Sequence, residues 1–206
     1  MSIEQIQKFI EQAKRGGGIN KLKLLGGEPL THPQFVEIYN LLVEAGKAGI
    51  IKYIKVETNK TLPFPKVELP PFVCIKGRKQ KKKKHQPALW SPKDLGVVTP
   101  IGKCQQLSKC GFSIDKYGYM PCSPAIMIAR LLKLTHLYKQ DFPTQPWGLE
   151  ELCPHCVFSM DAEWRSKYSS KCIFDFTQEE RNPTKTFKEG LESFSLEEFY
   201  KTHKEF

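Results

Sequence analysis

Two apolar runs that enclose a stretch of helical periodicity constrain the fold of this 206-residue chain more than any other feature. Leu22, Leu24 and Leu25 read as a buried strand ending at Gly26 and Gly27. Pro33 suits the first turn of the helix that follows, and Phe35, Val36, Tyr39, Leu42 and Val43 share one face up to a stop at Gly46. Ile50, Ile51, Tyr53, Ile54 and Val56 make a second strand, which ends at Thr58 and Asn59. An earlier helix starts at Ser2, where Gln5 completes a capping box. Ile3, Ile6, Phe9, Ile10 and Ala13 carry it at helical spacing to Gly16 and Gly18. The pattern predicts a helix followed by a βαβ unit with its two strands parallel in one sheet.

In such sheets ligands bind beyond the carboxyl ends of the strands, and two special clusters stand there. Gly26 and Gly27 let backbone amides and carbonyls approach a ligand closely, Glu28 offers a carboxylate to an ammonium group, and Pro29 stiffens the exit. Thr58 and Asn59 occupy the same rim. The plain alternative for the first cluster is an ordinary strand-to-helix turn.

At 40% apolar and 11% aromatic content the chain is globular in composition. No apolar run is long enough to cross a membrane and Met1 to Glu4 do not open a signal peptide, so a cytoplasmic location is expected. The formal charge is +10, but Lys76, Arg78, Lys79 and Lys81 to Lys84 supply seven of these charges. A solvated loop is the expectation for this run. Nucleic-acid binding is disfavoured, because no aromatic side chains alternate with the lysines to stack bases.

Seven cysteines, an odd number without a secretory leader, point to metal or redox chemistry rather than to a disulfide framework. Cys74 and Cys172 are expected as small buried side chains. Cys104, Cys110, Cys122, Cys153 and Cys156 form a group of five, the last two as C-x2-C. Four thiolates suit either an iron-sulfur cluster or zinc. Phe112, Ile114, Tyr117 and Gly118 predict a hairpin turning at "DKYG" that brings Cys110 and Cys122 together. His155, between paired cysteines, is expected to point away from them.

The stretch "LKLLGGEPLTHPQF", the helix ending "EAGKAG" and the strand "IKYIKVETNKTL" resemble the radical S-adenosylmethionine enzymes. In that family a GGEP segment after a barrel strand contacts the amino group of the methionyl part of the cofactor, and a later strand ends near Thr-Asn. The resemblance implies that Gly26, Gly27, Glu28 and Pro29 do this here, with Thr58 and Asn59 at the same rim. Lys60 stands where the family usually has glycine. "CGFSIDKYGYMPC" followed by "LCPHC" resembles the auxiliary-cluster extensions of the same family, the SPASM and shorter twitch domains. That likeness implies an auxiliary [4Fe-4S] cluster held by Cys110, Cys122, Cys153 and Cys156, with Cys104 in reserve. One cluster has enough ligands; the full set for two does not occur.

The implied fold is α/β, a partial (β/α) barrel of radical SAM type followed by a small cysteine-rich α+β auxiliary domain. Its expected parts are a barrel portion over 1–75, a basic loop and return over 76–95, the auxiliary domain over 96–175, and a tail over 176–206 with a capped helix from Ser195. The family's catalytic cluster uses a C-x3-C-x2-C triplet before GGEP, whereas the first cysteine here is Cys74. The triplet is therefore expected either on a preceding segment, with Met1 not the true start, or on a complementing chain. As given, the chain is expected not to cleave S-adenosylmethionine. A peptide or protein substrate is the family-level expectation. The alternative reading is a zinc-stabilised module whose basic loop binds nucleic acid.

Overall fold

The computed structural model describes residues 1–26, 28–77, 91–160 and 183–195, and for Gln105, Lys109 and Cys110 the backbone alone. The chain divides into two compact units, Met1–Lys83 and Lys84–Phe206. The fold is mixed α/β, and among the described residues there is no closed barrel.

The first unit runs α1 (Ile3–Arg15), β1 (Leu22–Leu24), α2 (Phe35–Lys47), β2 (Ile54–Thr58) and β3 (Val73–Gly77). Ser2 and Gln5 form the expected capping box: the Gln5 N–H donates to Ser2 Oγ at 3.3 Å and the Ser2 N–H donates to Gln5 Oε1 at 2.7 Å. The three strands lie in the order β1-β2-β3, all parallel, with Leu22 opposite Ile54 and Ile54 opposite Val73. Ile6, Phe9 and Ala13 of α1 and Ile38, Tyr39, Leu42 and Val43 of α2 are buried, as are Ile54 and Val56 of β2. Phe35 and Tyr39 pack edge-on against Phe64, and the Tyr39 hydroxyl donates to the Glu68 carbonyl at 2.7 Å.

Several expectations are corrected here. Leu25 lies past the end of β1 and is 52% exposed, so the strand is half-buried rather than a core strand. Val36 stands outside the apolar face of α2. Pro33 precedes α2, and Gly46 lies inside it; a Cβ at Gly46 would overlap the Phe72 ring, so this glycine serves close packing and not the helix stop. β2 begins only at Ile54, since Ile51 makes an isolated parallel bridge with Ile19 instead. The sequence reading missed β3. Residues 59–72 reach it from β2 without a helix, which departs from a regular β/α alternation.

The second unit carries α3 (Gln105–Cys110), a hairpin of β4 (Ser113–Asp115) and β5 (Gly118–Met120), α4 (Ser123–Leu131), α5 (Leu149–Leu152) and α6 (Lys185–Glu192). The hairpin is antiparallel, with Ser113 opposite Met120. Met120, Cys122, Ala125, Ile128, Leu152, Cys156 and Phe187 form one buried cluster. Asp115 ties the hairpin to α4: its Oδ2 accepts from Arg130 at 2.5 Å and from the Tyr138 hydroxyl at 3.0 Å, and its Oδ1 accepts from the Tyr117 N–H at 2.8 Å. Residues 91–95 are tied to the start of α6. The Ser91 N–H donates to Thr184 Oγ1 at 2.9 Å, and Thr186 gives its N–H and hydroxyl to the Asp94 carboxylate at 2.7 and 2.6 Å. The lysine run beyond Gly77, Trp90, Trp164, Cys172 and the helix expected after Ser195 lie outside the described residues. No helix among those described is long and apolar enough to cross a membrane.

Candidate functional sites

Each unit carries one candidate site. In the first, the carboxyl ends of β1 and β2 bring the two rim clusters together through Glu28. Its Oε2 accepts the Asn59 N–H at 2.6 Å and its Oε1 accepts the Leu30 N–H at 3.1 Å, so the carboxylate caps the single turn Pro29–Thr31 while reaching across to the next strand. Desolvation pushes this carboxyl upward, but the bonds from Asn59, Leu30 and Thr58 outweigh it and hold it below the ordinary glutamate value. The Thr58 hydroxyl accepts the Lys60 N–H at 3.0 Å, and the Asn59 side chain accepts the Thr61 N–H and hydroxyl at 2.8 and 2.6 Å. Gly26 has φ +158 with open space where a Cβ would stand. Gly27 lies outside the described residues.

Glu28 therefore acts first as a brace: both of its oxygens are engaged by backbone donors. The site that results is a backbone-lined edge of fixed shape, with Gly26 bare on one side and a carboxylate anchored next to it. Such an edge suits the ammonium end of a small ligand.

In the second unit, Cys122, Cys153 and Cys156 are buried and Cys104 is half-buried. Burial pushes the Cys156 thiol up to about 12, the Phe158 N–H opposes this, and charge on Cys122, Cys104 and Cys153 adds to the rise. Burial also pushes Cys153 up, with Cys104 and Glu150 contributing. None of Cys74, Cys104, Cys122, Cys153 or Cys156 is in a disulfide. Cys104 stands at the N-cap of α3 and Cys122 at the N-cap of α4, where Pro124 follows in the first turn. Cys153 ends α5 and opens the C-x2-C turn. Cys110 is the last residue of α3, and its side chain lies outside the described residues; the expected pairing of Cys110 with Cys122 at the open end of the hairpin concerns that side chain.

The C-x2-C turn is held from within. The Cys156 N–H donates to the Cys153 carbonyl at 3.1 Å, and the Ser159 hydroxyl sits 2.5 Å from that carbonyl and 2.6 Å from the Cys156 carbonyl. Thr99 adds a hydroxyl at 3.3 Å from the Cys153 carbonyl. Sequence reading missed both hydroxyl residues; the available signal was a serine three residues after the second cysteine of the pair. His155 turns its Nδ1 to the buried Ser91 hydroxyl at 3.0 Å, and burial followed by Lys93 pushes its imidazole down while Asp94 opposes them. Cys74 is half-buried in β3, not a core side chain as expected.

Among the described residues no three His, Cys, Asp or Glu side chains converge closely enough to hold a metal ion. A zinc ion draws its sulfurs to about 2.3 Å from one centre, whereas an iron-sulfur cube is wider and spreads its thiolates further apart. The cysteines of this unit are soft donors, sufficient in number for either kind of site. No family model, curated protein or solved structure matches this chain.

Proposed function

We propose that the chain is a radical S-adenosylmethionine-type iron-sulfur protein. In this reading the first unit is a partial barrel whose edge, Gly26 to Pro29 with Thr58 and Asn59, takes the methionyl end of the cofactor. The second unit is a twitch-like module in which four of Cys104, Cys110, Cys122, Cys153 and Cys156 hold an auxiliary [4Fe-4S] cluster. The observation that supports the reading is that three cysteines of one unit, Cys122, Cys153 and Cys156, are buried, Cys122 and Cys156 in the same core cluster, and none is in a disulfide. Cys110, Cys122, Cys153 and Cys156 are the first choice of ligands, with Cys104 in reserve.

A cluster bound there supplies a one-electron acceptor or relay. The chain's own residues do the rest. Ser159 and Thr99 fix the turn that presents Cys153 and Cys156, the Asp115 network fixes the hairpin leading into Cys122, and burial keeps water from Cys122, Cys153 and Cys156. The C-x3-C-x2-C triplet that the family uses for cleavage does not occur among the residues before Cys74. Cleavage needs a C-x3-C-x2-C partner segment, and a peptide or protein is the proposed substrate of the completed enzyme.

The test is metal analysis of anaerobically purified chain after reconstitution with iron and sulfide. The expected result is about four irons and four sulfides per chain, lost in Cys122→Ala. About one zinc without sulfide would transfer the site to a structural zinc module and remove the electron-transfer role.

A further inference from the structure

We propose that a cavity of the second unit, between the end of α4, α6 and the C-x2-C turn, binds a small amphipathic anion, a carboxylate or phosphate on an alkyl stem, with Lys93 and Lys133 as its cationic partners. Neither the cofactor edge nor a cluster is required for it.

The cavity measures about 740 Å³, a size that suits a small ligand. Leu131, Leu132, Leu134 and Pro154 give it an apolar lining, and the two lysines stand at its exposed margin. Its walls are tied together. α6 crosses the end of α4 so closely that a Cβ at Gly190 would come within 2.8 Å of the Leu131 carbonyl oxygen. Thr186 of α6 holds Asp94, the neighbour of Lys93, through two hydrogen bonds. A site with fixed walls loses little conformational freedom when a ligand enters.

Lys133 is the feature that points to a ligand. It takes φ +56, one of two non-glycine residues with positive φ among those described. The turn needs only the Leu134 N–H donating to the Ala129 carbonyl at 2.8 Å, and a glycine at position 133 would allow this bond without strain. Strain of this kind gathers at ligand sites. What the strained residue adds here is an ammonium beside an apolar wall.

The charges around the cavity select an anion. Of the three glutamates that line it, Glu151 is engaged by His136 Nε2 at 3.1 Å, and Glu189 lies 4.0 Å from Lys185, one turn away on α6. Lys93 and Lys133 make no ion pair among the described residues, so two ammonium groups stand against one carboxylate without such a partner, Glu150. Cations at the margin and leucines within suit a ligand whose charge stays near water while its stem is buried.

The experiment is calorimetric titration of the full chain with octanoate and octyl phosphate, with acetate, inorganic phosphate and octylamine as comparisons. One or both octyl anions are expected to bind, the tighter of the two identifying the headgroup, and octylamine is not. Affinity should rise from acetate to octanoate by up to about fourfold per buried methylene. Lys93→Gln and Lys133→Gly are each expected to lose about two- to fivefold in affinity, as for ion pairs open to water, and the double variant about tenfold. Lys133→Arg keeps most of the affinity. Because Lys133→Gly relieves strain and melts no lower than wild type, its weaker binding is not a loss of fold. Absence of binding by both octyl anions, affinity independent of stem length, octylamine binding as tightly as the anions, or unchanged affinity in the double variant overturns the proposal.

Discussion

Glu28 and Asn59, at the ends of neighbouring parallel strands, are joined by a 2.6 Å bond from the Asn59 N–H to Glu28 Oε2. The bond couples the two rim clusters, so the shape of the edge depends on one carboxylate. Glu28→Ala removes the acceptor for two N–H donors and should destabilise the first unit by about 1–2 kcal/mol, the lower part of the range for charged hydrogen bonds because the site is open to water. The folded carboxyl is held below its ordinary value of 4.5. Its contribution is therefore present above that value and is lost as pH falls through the lower folded value. The difference in melting temperature between wild type and Glu28→Gln should accordingly shrink on acidification; a constant difference across the range would contradict the assignment.

Three helices end alike. In α1 the Gly18 N–H donates to the Ala13 carbonyl past left-handed Gly17, and in α2 the Ile50 N–H donates to the Ala45 carbonyl past left-handed Gly49. In α4 the Leu134 N–H donates to the Ala129 carbonyl past Lys133, which takes φ +56 without being glycine. All three make the six-to-one bond of the Schellman motif, but only the third carries a Cβ at the left-handed position. Lys133→Gly should therefore raise stability by about 1 kcal/mol, while Gly17→Ala and Gly49→Ala should lower it by a similar amount. Chemical denaturation of the three variants measures this, and a destabilised Lys133→Gly would show that the lysine side chain contributes more than the strain costs.

Asp94 joins residues 91–95 to α6 by accepting two bonds from Thr186. Desolvation raises its carboxyl, but the hydroxyls of Thr186 and Thr184, the Thr186 N–H and the nearby His155 together hold it below the ordinary aspartate value of 3.8. The link is thus complete above that value and fails as pH falls through the folded one. Proteolysis at the carboxyl-terminal side should accelerate in the wild type only as pH falls below the ordinary aspartate value of 3.8. Asp94→Asn should show that faster cleavage already at neutral pH. Identical cleavage of wild type and variant at neutral pH would exclude the link as the restraint.

The βαβ unit was legible because its signals are local and consistent: a capping box at Ser2 and Gln5, two apolar runs, and helical spacing between them. Gly46 misled because a glycine that permits close packing and a glycine that ends a helix look the same in sequence; Phe72, the residue that explains it, is remote along the chain. β3 escaped because Val73–Gly77 is short, carries Lys76 and runs into the basic segment, so pairing with β2 and not local pattern makes it a strand. The cysteine group was visible as spacing and the hairpin as a turn at "DKYG", whereas the helix starts at Cys104 and Cys122 carry no ordinary capping side chain to announce them. Ser159 and Thr99 stayed hidden for a related reason, since their partners are backbone carbonyls that carry no sequence signature.

Ser159 offers the sharpest probe of the cysteine site because it touches the turn and not the sulfurs. Its buried hydroxyl lies between the Cys153 and Cys156 carbonyls, and each carbonyl keeps a backbone donor when the hydroxyl is removed: Cys156 N–H for the first, Ser159 N–H at 2.9 Å for the second. Ser159→Ala should therefore cost only about 1 kcal/mol of stability and leave the fold intact. What it releases is the turn, and with it the placement of two buried thiols. Cys153 and Cys156 should react several-fold faster with a thiol-specific reagent, since opening of the turn exposes sulfurs that burial keeps protonated. Reconstituted iron should be lost more readily to a chelator, and Ser159→Thr, which keeps a hydroxyl, should restore both properties. Unchanged thiol reactivity and iron retention in Ser159→Ala would show that the hydroxyl only fills the core and that other contacts set the turn.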